Sequence, residues 1–180
     1  MLHGMRPMRF VSWGLMLAMV VLAASTYGGL PDRIPVHLNF SGEADRYAAK
    51  SLVQWFLLPG IALGTLALID FIGSRMPEQP ELLNIGDKEL LLKLPPRFQR
   101  PVMLEAQRMM DATALGVMLL MLAVQWEFTR VAMGQRGLGP VVLFVSIPVL
   151  VFSLLVLTLR LSNALDEAGK AWKHEGSPAE

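Results

Sequence analysis

The 180-residue sequence predicts an all-α integral membrane protein with four transmembrane helices, and three observations carry that prediction. Hydrophobic residues make up 53% of the chain and charged residues only 17%, against about 25% charged in a typical soluble domain. Four apolar runs, at 10–27, 52–73, 109–126 and 140–159, each reach the roughly 17 to 25 helical residues that cross a hydrocarbon core of about 30 Å. The segments between them are short and broken by proline and glycine, so residues 1–180 form one membrane domain rather than several.

The first run, Phe10 to Tyr27, follows Arg6 and Arg9 and admits a rival reading as a signal peptide cleaved near Val21-Leu22-Ala23. Its 18 apolar residues exceed the usual core of about 7 to 15 for such peptides, which favours a retained span. The first loop, 28–51, carries Pro31 and Pro35. Each fixes its own φ and pushes its predecessor toward extended backbone, so Leu30 to Phe40 is expected to run extended. Ser41-Gly42 reads as a turn, and Glu43, Asp45, Arg46 and Lys50 then lead into the second span, where acidic groups suit a helix start.

In the second run, Gly60 and Gly64 give a small-xxx-small spacing, with Ala67 further on, which suggests close packing within the bundle. Pro59 and Pro148 are expected to kink spans two and four. The second loop, 74–108, opens with Pro77 and Pro80 and then predicts a short helix from Asp87 to Leu94, closed by Pro95-Pro96. With Leu82, Leu83 and Ile85 that helix could lie on the membrane interface, lysines toward the headgroups. Pro101 is placed as the first residue of a helix that continues into span three. The third loop is glycine-rich up to Pro140. The tail, 162–180, starts as a helix and is expected to fray toward Gly176-Ser177-Pro178.

Lys and Arg number two before the first run, six in the second loop and three in the tail, against three in the first loop and two in the third. Eleven against five places both termini, the 74–108 loop and the tail in the cytoplasm, and the 28–51 loop outside. Tyr27, Trp55 and Trp126 fall at the outer interface on this reading, and Trp13 toward the inner one.

Several chemistries are excluded outright. With no cysteine there is no disulfide, zinc-thiolate site, iron–sulfur cluster or thiol nucleophile, and a formal net charge of +1 lacks the electrostatic footprint of a nucleic-acid binder. The sequence has no Gly-rich phosphate loop, no Gly-x-Ser-x-Gly and no His-Glu-x-x-His, so no enzyme activity and no cofactor are expected.

Two constellations remain. His37, Asn39, Glu43 and Asp45 bring nitrogen and oxygen donors within nine residues around Gly42, ahead of Lys50. They read either as a self-satisfying turn or as a ligand site, with metal binding left open. Asp70 and Asp111 are carboxylates inside the apolar runs, each about one turn from the inner end. Ion pairing, with Arg75 and Arg108 as the nearby cations, is the structural account, and a proton relay the functional one. The twelve methionines read as core filling.

The run Leu30-Pro31-Asp32-Arg33-Ile34-Pro35, His37 and Asn39, Gly42 to Asp45, Lys50 and a leucine-rich span with Pro59 resembles an uncharacterised bacterial membrane domain, a domain of unknown function. The same domain stands at the front of the SdpI-type immunity proteins, and the resemblance covers residues 12 to 72 best. It implies a bacterial cytoplasmic-membrane protein with a shared outer loop, and carries over no catalytic residues. Nothing from Ser74 onward resembles the C-terminal part of the immunity proteins.

The combined expectation is a sensor or immunity-like protein that recognises a peptide or envelope ligand through its first loop, with the lipid bilayer and a cytoplasmic protein as further partners. An accessory subunit or small proton-coupled transporter using Asp70 and Asp111 is the alternative, and a metal-dependent hydrolase around His37, Glu43 and Asp45 a third.

Overall fold

The computed structural model describes residues 6–39, 41–135, 137 and 141–176, with the backbone alone for 141–143. Phe40, the start of the fourth span at Pro140, and Ser177-Pro178 lie outside the described residues. In chain order the elements are α1 (Pro7–Tyr27), β1 (Arg33–Leu38), β2 (Ala44–Ala49), α2 (Leu52–Arg75), α3 (Lys88–Lys93), α4 (Pro96–Ala132) and α5 (Val141–His174). Two single 3-10 turns, Met76–Glu78 and Pro80–Leu82, stand between α2 and α3. The chain is mostly helical, and α1, α2, α4 and α5 are each long and apolar enough to cross a membrane, which makes this a multi-pass membrane protein by its helices.

Helices α1, α2 and α4 pack against one another, while α5 lies along α4. The middle of the three-helix bundle is filled by Met16 and Met19 of α1, Ala62 and Leu66 of α2, and Ala114 and Met118 of α4. Flexible thioethers beside alanines let these helices approach without leaving voids, so the methionines do act as filling. Gly116 gives α5 its seat on α4, because a Cβ there would stand 2.7 Å from the Leu150 methyl.

α4 has 37 residues and spans about 55 Å, well beyond a hydrocarbon core of about 30 Å. Its N-terminal part projects past the bundle and builds a second core with the end of α5: Val102, Met103 and Ala106 meet Leu161, Leu165 and Ala168. Leu83, Leu91 and Leu94 are buried in the same core. Leu83, Leu91 and Leu94 thus cover protein, because the projecting ends of α4 and α5 offer them an apolar surface, while Leu82 and Leu92 of the same segment stay exposed. The tail is likewise an integral part of α5 up to His174.

One further boundary differs from expectation. α3 matches the predicted short helix, with the Asp87 carboxylate capping it by accepting from Leu90 N at 3.0 Å. α4 begins at Pro96 rather than Pro101, since Pro96 takes the first helical position, where no N–H is needed, and Pro101 follows within the helix. Gly60 and Gly64 have nothing within 4 Å of a Cβ placed on either, so the small-residue stripe faces out of the bundle instead of packing within it.

The expectation of a wholly α-helical fold is corrected in the first loop. β1 and β2 form a two-stranded antiparallel hairpin with Arg33 opposite Ala49, Ile34 opposite Ala48, Pro35 opposite Tyr47, His37 opposite Arg46 and Leu38 opposite Ala44. The register slips on either side of His37, where Pro35 has no N–H to give the ladder and an irregularity absorbs the extra residue. Glu43 and Asp45 therefore belong to the hairpin, not to the helix start. That start is capped by Ser51, whose hydroxyl accepts from Gln54 N at 3.2 Å.

Candidate functional site

The hairpin turn is built by Asn39. Its side-chain oxygen accepts from the backbone N–H of Ser41 (2.9 Å) and Glu43 (3.0 Å), and its own N–H donates to the Glu43 carbonyl at 2.8 Å. An asparagine side chain imitating a backbone turn is the local device that reverses the chain here. Gly42 completes it at φ +77°, a left-handed conformation that side-chain-bearing residues rarely adopt, with its N–H donating to the Asn39 carbonyl at 2.9 Å.

Across the two strands His37 Nδ1 meets Asp45 Oδ1 at 2.6 Å, and the imidazole holds the Asp45 carboxyl below the ordinary carboxylate range. Both side chains are exposed. Among the described residues no three His, Asp or Glu side chains converge in a way that could hold a metal ion. His37 and Asp45 are thus brought together as a pair, Asn39 and Gly42 shape the turn, and Glu43 enters through its backbone.

Lys50 fastens the hairpin to the helices. Its ammonium donates to the carbonyls of Leu30 (3.0 Å) and Gly28 (3.4 Å), the residues that leave α1, and stands 5.0 Å from the Tyr27 ring centroid. One cation thereby satisfies carbonyls beyond the helix end and gains a cation–π contact. Beneath the hairpin Ala23, Leu30, Ile34, Trp55 and Ala132 form a buried core drawn from α1, β1, α2, α4 and the loop. The Trp55 indole N–H donates to the Ala23 carbonyl at 2.8 Å, so this tryptophan is an internal anchor and not an exposed interface residue. Gly137 closes in from the third loop: a Cβ on it would lie 2.7 Å from Glu127 Oε1 and 2.9 Å from the Gly42 carbonyl.

At the opposite end of the bundle Asp111 and Asp70 are both ion-paired, but with partners other than Arg108 and Arg75. Arg6 grips Asp111 through two nitrogens, Nε donating to Oδ2 at 2.9 Å and Nη2 to Oδ1. Arg9 reaches Asp70, with Nη2 donating to Oδ2 at 2.9 Å and Nε standing 2.7 Å from Oδ1. Arg6 and Arg9 lie three residues apart at the start of α1, one helical turn, and so face both carboxylates at once. Arg108 pairs with Glu105 at 3.1 Å, and Arg75 stacks 4.6 Å from the Phe71 ring centroid.

Sequence reasoning missed the two arginine partners, and also Gln125 and Glu127, which are polar yet buried on α4. The three-residue spacing of Arg6 and Arg9 was a usable signal, since it matches two carboxylates at one depth. Nothing local marks Gln125.

Residues 14–63 match a family described as a domain of unknown function, DUF1648. The matched stretch takes in most of α1, the whole hairpin with His37, Asn39, Gly42, Glu43 and Asp45, then Lys50 and the first half of α2, and it stops short of Asp70 and Asp111. No curated protein and no solved structure matches the chain.

Proposed function

We propose that this chain is a non-enzymatic protein of the bacterial cytoplasmic membrane, both termini cytoplasmic, whose outer hairpin recognises an extracytoplasmic peptide or envelope ligand in the manner of a sensor or immunity protein. The observation that carries the reading is the fixing of the hairpin to three helices at once through Lys50, Trp55 and the core beneath it. A loop held that rigidly presents a preorganised surface, which lowers the entropic cost of binding. The eleven-to-five distribution of Lys and Arg supports placing the hairpin outside.

α4 supplies a route for a signal. It contributes Ala132 to the hairpin core, Ala114 and Met118 to the bundle, and Val102, Met103 and Ala106 to the core at the other end. A shift at the hairpin would reach the α3–α4–α5 module, the surface offered to a cytoplasmic partner, through one continuous helix. The engagement of Asp70 and Asp111 by arginines favours this reading over proton-coupled transport, which needs a carboxylate free to exchange a proton.

The absence of native cysteine makes the test direct. Tyr47→Cys on the hairpin should react with a membrane-impermeant maleimide on intact cells, and Leu92→Cys on α3 only after lysis. Cells expressing the wild type should survive envelope-active peptides that kill cells expressing His37→Ala/Asp45→Ala at equal abundance. Reversed labelling, or equal sensitivity across a broad peptide panel, refutes the proposal.

A further inference from the structure

The hairpin has two outer edges, and its hydrogen-bond register decides which of them is open. Lys50 N–H donates to the Asp32 carbonyl at 2.7 Å, so these two residues turn their backbone groups toward each other. Antiparallel ladders alternate, so Ile34 and Ala48 face each other in the same way, while the Arg33–Ala49 and Pro35–Tyr47 pairs turn their backbone groups outward. On β1 that outer edge is closed, because Pro35 has no N–H to offer and β1 packs against α4. On β2 it is open. The backbone N–H and C=O groups of Tyr47 and Ala49 have no hydrogen-bond partner among the described residues, and both residues are exposed, whereas Ala48 between them is half-buried. Native sheets blunt such edges with lysine, proline or a bulge. The register slip at Asp45 ends the open stretch on one side, but nothing of that kind interrupts Tyr47-Ala48-Ala49. Arg46 beside it and Arg33 opposite Ala49 make no ion pair among the described residues, while Asp45 is held by His37. The remaining acids of the loop, Asp32 and Glu43, lie beyond the two ends of the stretch.

We propose that the outer edge of β2 is the surface by which the hairpin recognises its ligand, and that it takes an acidic peptide in extended form by strand addition. Tyr47 and Ala49 each supply one donor and one acceptor, so an antiparallel peptide strand gains about four backbone hydrogen bonds. Only another extended backbone matches groups that recur every second residue. The peptide's side chains then cover Tyr47, 50% exposed, and its carboxylates meet Arg46 and Arg33. A second copy of this chain fits the edge less well. Antiparallel pairing that uses both open residues sets Tyr47 against Ala49 across a two-fold axis, and therefore Arg46 against Lys50, with like charges facing. The inference rests on the hairpin being a peptide-recognition element, and it names the segment that binds and the chemistry that it selects.

The test is amide hydrogen exchange, read by NMR on the full-length protein in phospholipid nanodiscs. The probe is a pool of short capped peptides with Glu at alternate positions and Val, Thr or Tyr between them. Without peptide, the Ala48 amide should be protected, and those of Tyr47 and Ala49 should exchange near their intrinsic rates. With the pool at about 1 mM the latter two should slow about tenfold, the protection given by a Kd of about 0.1 mM. N-methylation of the best binder, one residue at a time, should abolish binding at alternate positions and spare it between them, the period of strand pairing. Ala49→Pro removes an outward N–H without touching the ladder and should lower affinity about tenfold. Arg46→Glu should lower it about two- to fivefold. The proposal is overturned if Tyr47 and Ala49 are protected before peptide is added, since the chain itself or a second copy then holds the edge. It is equally overturned by no slowing with the pool, by N-methyl effects without the two-residue period, or by equal slowing with Lys in place of Glu. If Ala49→Pro does not fold, the N-methyl series decides on the wild type alone. Cells in which the wild type and Ala49→Pro protect equally against envelope-active peptides place recognition elsewhere and overturn the edge only. Reversed maleimide labelling overturns the recognition reading and leaves binding in nanodiscs unchanged, so the two failures register in different assays.

Discussion

Replacing Asp111 with alanine is expected to cost far more stability than replacing Asp70, although both carboxylates sit at the same end of the bundle. The Arg6 and Asp111 side chains are 16% and 10% exposed, and the carboxylate takes two nitrogens from one guanidinium. Removing one member of a buried, bidentate pair strands the other charge, a loss of about 3 to 5 kcal/mol. Arg6 stands at the very start of α1 and has a short route to water, so the lower end, about 3 kcal/mol, is the expected value. Arg9 is 40% exposed, and water screens its pair with Asp70 to about 1 kcal/mol or less. The assay is tryptophan fluorescence during SDS titration of protein in mixed micelles. A double-mutant cycle with Arg6→Gln and Asp111→Asn should give a coupling of about 2 kcal/mol, because the double variant leaves no stranded charge. Equal losses at the two aspartates, or a coupling below about 0.5 kcal/mol, would refute the reasoning. The same pairing bears on the cleaved-signal reading of the first span: a chain starting at Ala24 lacks Arg6, Arg9 and the Ala23 carbonyl, and is expected not to accumulate in membranes.

Gly42→Val forces a branched side chain into a left-handed backbone and should weaken the hairpin by about 1 to 2 kcal/mol, seen as faster amide exchange across β1 and β2. Trp55→Phe keeps a ring in the core but removes the indole N–H from the Ala23 carbonyl, which retains the longer bond from the Thr26 hydroxyl at 3.3 Å, for a loss of about 1 kcal/mol in the same SDS titration. The Asp45 carboxyl is held low by His37, so its contribution to hairpin order is present above the unfolded carboxylate value of about 3.9 and fades as pH falls through the lower folded value. Protection of the hairpin amides, taken relative to their intrinsic exchange rate at each pH, should therefore fall in strong acid in the wild type and not in Asp45→Asn; identical acid profiles would remove the pair's role.

The sequence by itself determined the four apolar helices, the short helix that opens at Asp87 and the turn at Ser41-Gly42, because each depends on neighbours within a few residues: hydrocarbon length, a proline that stops a helix, a glycine at positive φ. Pairing across the fold was decided only by tertiary structure. β2 reads Ala-Asp-Arg-Tyr-Ala-Ala, with no apolar alternation to announce a strand, and became one because β1 offered it a register and the core under Ile34 fixed it. Asp111 found a partner 105 residues away in Arg6 rather than three away in Arg108, since Arg108 points outward to Glu105 while α1 brings Arg6 against α4. Gln125 sits among residues that look like any membrane helix, and only the meeting of β1, α2 and α4 turned it into a buried amide facing a crevice. Local backbone preference and hydrophobic length are written along the chain; which charged or polar group meets which depends on three helices closing at once, and that geometry exists only in the folded molecule.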